Sequence, residues 1–358
     1  MPISLLAPSR LKFPLRFENA ITTVNRPSSK SIGLRRLGIL GSPHGPYVRE
    51  LVAAAQHRHS TTTIDLISFA ELAVTLDQGR VAVVSRRAEA ASAPPIDRLP
   101  ERIPQAQLSP IGSTVDLLQL DGLVVRTMPV GSLEQVIFRM DALQAVMRAG
   151  VPILNPPGAL EIAIDKWLTL ERLSSVGIAT PLTVACQSRQ TAMDCFELLG
   201  RDVVVKPIFG GEGRGIVRVT DADMAWRVFG TLQQLGAVLY VQQFLPHFGY
   251  DIRVLMIGPR LLSVKRWALE GNWRTNLAQG CRAEPHVLSS AEEDLARAAA
   301  QATGGTLLGI DLLPTLAGQT VVLEVNAVPG WKGTAAALGI NVADLVIEHL
   351  EDLHAERT

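Results

Sequence analysis

Two short segments near the C-terminus carry oxygen donors in apolar surroundings. In GIDLLP, Asp311 stands among aliphatic residues; in LEVNAVPG, Glu324 and Asn326 lie two positions apart. Side chains alternate faces along a strand, so Glu324 and Asn326 project the same way. A turn at Ala317-Gly318 can fold the two segments together and bring Asp311 opposite that pair. No cationic side chain lies in the sequence between Asp311 and Asn326. Three hard oxygen donors then converge, and a divalent cation fits them: magnesium takes a few carboxylates and leaves places for phosphate oxygens and water. Acids on an edge strand facing solvent are the plainer alternative.

A second group precedes them. VVVKPIFGGEGRGIVRV holds Lys206 and then Gly210, Gly211, Gly213 and Gly215 within six residues. Glycines allow close backbone approach, so such a loop can turn its N–H groups onto phosphate oxygens, with Lys206 as a point charge beside them. No G-K-[ST] follows, so this is not the strand-to-helix phosphate loop. With strands predicted on both sides, it reads as a flap over a nucleotide; a flexible hairpin tip is the bland reading.

These residues need elements to hold them. Leu37–Leu40 predicts a buried strand, Gly41-Ser42-Pro43 a turn, and 46–56 a helix. TTTIDLISFAELAV predicts a strand and a helix start, and the stretch from Asp77 to Ser113 an irregular excursion. DGLVVRTMPVGSLEQVIFRMDALQAVMRAGVPILNPP predicts strand, loop, long helix and strand, and such alternation suggests an open parallel sheet. GALEIAIDKWLTLERLSSVGIATP predicts one helix, with Leu160, Ile164 and Leu168 at four-residue steps and an end at Gly177. The run from Ala237 to Ala268 predicts strands broken at Pro246 and Gly258-Pro259. SAEEDLARAAAQATGG predicts a helix with Ser290 and Asp294 as an off-register capping box, and NVADLVIEHLEDL an amphipathic closing helix.

Taken in order, DKWLTLERLSSVGIATP, VVVKPIFGGEGRG, YVQQFLPHFGYDIRVLMIG, Arg266, WRTNLAQG, GIDLL and LEVNAVPGWKG resemble the ATP-grasp superfamily of carboxylate–amine ligases, in its RimK-like branch. The resemblance covers roughly residues 150 to 335. It implies an α/β chain (α+β in the grasp domains): an N-terminal extension over 1–34, an open parallel-sheet domain over 35–153, a central grasp subdomain with the glycine lid over 154–238, and a C-terminal subdomain with the metal site over 239–352. It implies roles as well. Lys166 and Lys206 would contact the α- and β-phosphates of ATP, with Gly210, Gly211, Glu212, Gly213 and Gly215 as the lid. Gln242, Gln243 and Phe244 would form the hinge beside adenine, although many relatives have an acid at the place of Gln243. Asp251 would make a ribose or hinge-side contact. Arg253 and Arg266 would face the γ-phosphate and the bound carboxylate, and Arg274 and Asn276 the transfer centre. Asp311, Glu324 and Asn326 would hold magnesium, with manganese as a substitute.

The implied reaction joins an amino acid amine to a carboxylate through an acyl phosphate. Within the branch, PIFGGEGRG and AVPGWKG look more like proteins associated with tetrahydromethanopterin, so glutamate ligation to a cofactor of that type is the expectation. A protein or carrier tail as acceptor, a different ATP-grasp activity such as a carboxylation or a phosphorylation, and a non-catalytic nucleotide-binding protein are the alternatives. Arg253 and Arg266 lie in apolar strands and need a partner, whether ligand or structural acid. Trp331 and Lys332 read equally as acceptor contacts or an exposed loop.

Composition narrows the rest. Lys+Arg and Asp+Glu are equal at 34 each, so no global field favours nucleic acid or anionic lipid; the resemblance implies small-molecule partners. There is no apolar run of the roughly 18 residues a spanning helix needs. Three cysteines, Cys186, Cys195 and Cys281, with no C-x-x-C pair, fit a reducing, cytoplasmic setting. The first 34 residues, with Glu18 the only acid and no uninterrupted apolar stretch, read as a partly ordered extension, a targeting peptide being the minor alternative. Self-association is implied by the resemblance alone.

Overall fold

Three sheets carry the residues that the computed structural model describes, which are 21–22, 34–87, 114–210, 214–275 and 282–357. Ile21–Thr22 forms a short strand, β1, and with Leu34 is the part of the N-terminal extension that falls within them.

The first sheet contains β2 (Arg36–Leu40), β3 (Thr63–Asp77), β4 (Arg80–Arg87), β5 (Thr114–Asp116), β6 (Gly122–Val125) and β7 (Ile153–Leu154), in the order β5-β4-β3-β2-β6-β7. β3, β2, β6 and β7 run parallel, while β4 and β5 extend the sheet antiparallel. The parallel strands are apolar on both faces because a helix covers each. Leu123 and Val125 pack with Met140 and Leu143 of α2 (Leu133–Arg148). Val124 and Ile39 pack with Leu51 and Val52 of α1 (Pro46–Arg58).

The expected helix start after TTTIDLIS does not form. β3 continues to Asp77 and turns through Gln78 and Gly79, both at positive φ, into β4. Leu72, Val74 and Leu76 face Ser85, Val83 and Val81 across the pair, and this pairing overrides the helix preference of Ala-Glu-Leu-Ala. The expected irregular excursion is therefore a hairpin as far as Arg87; residues 88–113 lie outside the described residues.

The single helix expected after Pro156 is two, α3 (Pro157–Ile164) and α4 (Lys166–Ser175). Asp165 breaks it: its backbone is extended, and its carboxylate accepts from Trp167 N (2.8 Å) and Leu168 N (3.0 Å) as an N-cap. Lys166 thus begins a helix instead of lying within one. The second sheet, β8 (Thr183–Cys186), β9 (Val203–Lys206), β10 (Val217–Val219) and β11 (Leu239–Gln243), is antiparallel in the order β10-β9-β11-β8. It is backed by α5 (Arg189–Leu198) and α6 (Ala222–Gln234) through Phe196 and Phe229. β11 belongs to this sheet, although the expected subdomain division falls at 238/239.

The third sheet is antiparallel: β12 (Tyr250–Ile257), β13 (Arg260–Trp267), β14 (Arg282–Pro285), β15 (Leu307–Pro314) and β16 (Thr320–Asn326). Its order is β1-β13-β12-β15-β16, with β14 also on β13. The helix α7 (Ser290–Thr303) starts one residue earlier in register than expected: the capping box is Ser289 with Glu292, at the ideal spacing. After the short α8 (Lys332–Leu338), α9 (Val342–Ala355) returns to the first sheet, where Val346, Ile347 and Leu350 join Leu37, Leu51 and Val52. Leu255, Leu262 and Leu307 of the third sheet belong to the same cluster, so the two sheets share a core.

Asn155, fully buried after β7, ties the halves together. Its Nδ2 donates to Leu307 O and Ala327 O (both 2.6 Å), and its Oδ1 accepts from Thr306 N (2.9 Å) and Leu307 N (2.8 Å). All four of its bonding places are used on the backbones that flank β15 and follow β16.

Candidate active site

β15 and β16 place the acids. Asp311 pairs with Glu324 and Gly309 with Asn326, so the three expected donors share one patch of the sheet. Directly opposed residues on such a pair have Cβ atoms about 4.5–5.5 Å apart. An irregularity between Asp311 and Leu312 shifts the register just past them.

The neighbouring strand supplies the cations that the local sequence lacks. Arg253 on β12 lies opposite Asp311 and donates from Nη1 to Asp311 Oδ1 at 2.7 Å. Arg266 on β13 donates to both oxygens of Asp251 (2.7 and 2.6 Å), and its Nη2 also reaches Asp311 Oδ2 at 2.9 Å. Thr275 Oγ1 donates to Asp251 Oδ2 at 2.5 Å. With its amide oriented so that Nδ2 donates to Glu324 Oε1 (3.0 Å), Asn326 accepts from Arg253 Nη1 (3.2 Å). Arg253, Arg266, Asp251 and Asp311 are all buried. The partner required of Arg253 and of Arg266 is therefore an aspartate. Burial alone would raise the Asp311 carboxyl, but Arg253 and Arg266 hold it below its ordinary value, so it is ionised. The Asp251 and Asp311 carboxylates push the Arg266 guanidinium up against its burial.

Lys206 ends β9 and is buried; its Nζ donates to Gln242 Oε1 at 2.6 Å. Gln242 Nε2 donates on to Thr183 Oγ1 at 2.9 Å. Burial pushes the Lys206 ammonium down to about 8; Lys166 adds to the fall, and Glu324 and Asp311 oppose it. Lys166, half-buried at the start of α4, donates from Nζ to Gly210 O, and its backbone N–H donates to Ile208 O. The two lysines thus meet at the base of the glycine loop. Gly210 has φ +114°, a conformation that suits glycine. Gly211, Glu212 and Gly213 lie outside the described residues, as does Asn276; Gly215 closes the loop ahead of β10.

Gln243 N–H donates to Leu182 O (2.8 Å) and Phe244 N–H to Asp202 O (2.9 Å), so these two hinge donors are engaged by the protein itself. The Phe244 ring lies 3.5 Å from the Arg218 guanidinium carbon and edge-on to Trp273. Arg274 donates from Nη2 to Ile216 O (2.7 Å), tying its segment to the strand side of the loop. Asp251, expected at a ribose or hinge-side contact, has both carboxylate oxygens on Arg266.

Two cavities open on these residues. A narrow cleft of about 70 Å³ runs between the second and third sheets, lined by Lys206, Gln242, Phe244, Asp251, Arg274 and others. A cavity of about 700 Å³ lies between the third sheet and the N-terminal half, lined by Arg253, Arg266 and Asn326 and, from the other half, Tyr47 and Arg126. Asp311 and Glu324 line both. The acids therefore stand where the two spaces meet. The donor set fits magnesium: two carboxylates, one ionised under arginine control, and an amide, all hard oxygens. Among the described residues no group of three His, Cys, Asp or Glu side chains could cage a metal. A partial protein shell is what magnesium accepts when phosphate and water complete it.

A model of the RimK-like ATP-grasp domain matches residues 163–350, more than half the chain. The chain belongs to the RimK-like ATP-grasp family. It is an ATP-dependent carboxylate–amine ligase of the ATP-grasp fold, whose enzymes use ATP and magnesium. It is 32% identical over 265 residues to the tetrahydromethanopterin:alpha-L-glutamate ligase of Methanosarcina acetivorans, covering 66% of this chain and 82% of that one. It is 33% identical over 239 residues to a probable alpha-L-glutamate ligase of Stenotrophomonas maltophilia, covering 63% and 81%. The solved ATP-grasp ligase PsnB, complexed with a minimal precursor, superposes with a TM-score of 0.64 at 17% identity, over 90% of this chain and 100% of that one. PsnB with magnesium and ADP gives 0.62 at 17%, over 89% and 98%. Among the described residues no helix of this RimK-like protein is long and apolar enough to cross a membrane.

Sequence reasoning missed the wall of the larger cavity that comes from the N-terminal half, Ser42, Tyr47, Arg126 and Thr127. A signal was present. In LVVRTMP, Arg126 follows a parallel strand at its C-terminal end, where open α/β sheets bind ligands. Trp331, read equally as an acceptor contact or exposed loop, is buried, and its Nε1 donates to Glu50 Oε2 at 2.7 Å. Lys332 does line the cavity.

Proposed function

We propose that this ligase joins the amine of L-glutamate to a carboxylate of a small acceptor of the tetrahydromethanopterin class. The meeting of the two cavities at Asp311 and Glu324 carries this reading: the phosphate end of a nucleotide reaching into the cleft and an acceptor in the larger space would face each other there. The names of its relatives in Methanosarcina acetivorans and Stenotrophomonas maltophilia support glutamate, and the former supports the pterin.

Asp311, Glu324 and Asn326 would hold magnesium, which when bound supplies charge neutralisation beside the phosphates; manganese has the same oxygen preference. Lys166 and Lys206 bind the phosphate tail under the glycine loop. The acceptor carboxylate forms a bond to the γ-phosphorus as the β–γ bridge breaks, ADP leaves, and an acyl phosphate results. The amine nitrogen then bonds to the acyl carbon, phosphate departs with the electron pair, and the amine proton passes to solvent. Arg253 and Arg266, fixed by Asp311 and Asp251, need no reorganisation to stabilise the transferring charge. Arg274, with Asn276 beside it in the sequence, would anchor the loop segment over the cleft, and a closed lid keeps water from the acyl phosphate. Gln242, Gln243 and Phe244 flank the base, and Asp251 acts through Arg266. A cytoplasmic location and self-association accompany this reading.

ADP release measured against amino acids and a pterin-carboxylate panel, with product mass, tests it. ADP release requiring both L-glutamate and the acceptor, with a product heavier by one glutamyl residue, is expected. ADP release with bicarbonate alone, or a stable phosphorylated product, would overturn it.

A further inference from the structure

Arg126 directly follows β6, and its backbone N–H donates to Leu40 O at 2.7 Å. Its side chain is 6% exposed. The guanidinium carbon lies 4.3 Å from the Trp331 ring and 4.9 Å from the Tyr47 ring. Nη2 donates to Pro329 O at 2.9 Å, while Nε and Nη1 have no hydrogen-bond partner. Glu50, an acid whose charge is felt at Arg126, is bonded to Trp331. Burial lowers the guanidinium to about 10 against the opposing pull of Tyr47 and Glu50. Arg253 and Arg266, which line the same cavity, are paired with aspartates; Arg126 is not so paired. Unmade bonds on a buried cation are costly, and a carboxylate is the partner its planar fork matches.

A second feature faces the same space. The 13-residue helix α1 starts with Gly45 as N-cap and Pro46 at its first position, with no side-chain cap and no acid in its first turn. Gly45, Pro46, Tyr47 and Val48 all line the cavity. An uncapped helix N-terminus keeps free N–H groups and a partial positive charge.

We propose that Arg126 and the first turn of α1 form an anion subsite that holds a non-reacting carboxylate of one of the two organic substrates. The inference rests on the ligase reading for the word substrate, but the subsite's chemistry stands on these groups. It makes the enzyme selective for a di- or oligocarboxylate: one carboxyl group reacts, or is carried by the amine donor, and another is held by the N-terminal half. It also gives the N-terminal sheet a part in recognition, since Trp331 and Pro329, which hold Arg126, directly follow the strand that carries Glu324 and Asn326.

The test uses the full chain with Mg·ADP present, and calorimetric binding of L-glutamate, L-glutamine, L-isoglutamine and N-acetyl-L-glutamate to wild type, Arg126→Gln and Arg126→Lys. Wild type is expected to bind a dicarboxylate better than its monoamide by about ten- to a hundredfold, the range for hydrogen bonds to charged groups. Arg126→Gln should erase that preference, and Arg126→Lys should keep part of it. If only probes with a free amine respond, the carboxylate belongs to the amine donor; if N-acetyl-L-glutamate responds too, it belongs to the acceptor side. The idea is overturned if wild type binds no probe, if a folded Arg126→Gln keeps the preference, or if it weakens acid and amide alike, as loss of the aromatic stack alone would do. Should Arg126→Gln not fold, Arg126→Lys decides: an undiminished preference overturns it. Failure of the ligase reading shows separately, as absence of amine- and carboxylate-dependent ADP release.

Discussion

Gly309 leaves the space that the Arg253 guanidinium fills: a Cβ at Gly309 would stand 2.1 Å from Arg253 Nη2 and 2.3 Å from its Cζ. Gly309 pairs with Asn326 on one side and lies two residues from Asp311, which Arg253 holds. The arginine can lie flat on β15 between two expected metal ligands only because nothing projects there.

Gly309→Ala should therefore displace Arg253 without removing a charge. Overpacking of this kind costs about 1–3 kcal/mol of stability. The larger effect is expected on turnover, because a displaced Arg253 leaves Asp311 with one arginine. Thermal unfolding and ADP release, measured together, check it. A stable variant with unchanged kcat would mean that Arg253 has no part in the transfer step.

Lys206 gives a pH signature. Its folded value of about 8 lies below the ordinary 10.5, chiefly through burial. Between those values the unfolded chain holds a proton that the folded chain has lost, so this group's contribution to stability rises with pH through that window and is flat below it. Phosphate binding would run the other way, since in the proposed role the ammonium is the form that meets the phosphates. The kcat/KM for ATP should fall as pH rises through about 8, while kcat, read with phosphates bound, should fall at higher pH. Lys206→Arg should flatten the first profile, arginine staying charged throughout. Coincident profiles in wild type and variant would remove Lys206 from phosphate binding.

What the sequence made legible follows the range of the interactions. Glu324 and Asn326 share a face because a strand has a period of two, and Lys206 precedes a glycine loop within a few residues; both are local. Arg253 and Asp311 are 58 positions apart, and their pairing is set by which strand lies beside which. The apparent absence of a cation near the acids was true of the segment and untrue of the sheet. Asp165 shows a local signal weighed wrongly. Apolar residues at four-residue steps suggested one helix, yet an aspartate followed by two bonded N–H groups is an N-cap, and it sets Lys166 at a helix start. Arg126 was hidden for another reason: its partners Tyr47 and Trp331 come from distant elements of both halves.

Glu324→Gln keeps shape and hydrogen bonding and removes one charge. Replacing groups that only support a metal ligand costs about 10–100-fold, so a ligand replacement should lower turnover by more than about a hundredfold. The melting temperature should hold, because Glu324 is half-buried and its carboxylate meets the amide of Asn326. Magnesium titration of ADP release separates the causes: a raised magnesium requirement assigns Glu324 to the metal. Unchanged turnover in the folded variant would count heavily against a metal site on β15 and β16.

Asn155 offers a test of how the site is built, with no contact to any reacting group. Its amide satisfies two carbonyls and two N–H groups at the junction of β7, β15 and the residue after Asn326. Asn155→Ala leaves those groups buried without partners, at about 1–3 kcal/mol for each that water cannot reach. Aspartate would keep the two bonds to Oδ1 and set a second oxygen against the carbonyls of Leu307 and Ala327, so it should be no better than alanine. Both variants should lose several kcal/mol in urea unfolding. The surviving folded fraction should show a raised KM for the acceptor, since Ala327 leads directly into the Val328–Gly330 wall of the larger cavity. ATP affinity should change less, because Lys206 and Gln242 sit on the second sheet, which Asn155 does not touch. Equal losses for ATP and acceptor would mean that Asn155 holds the whole domain together instead of setting one wall of the cavity.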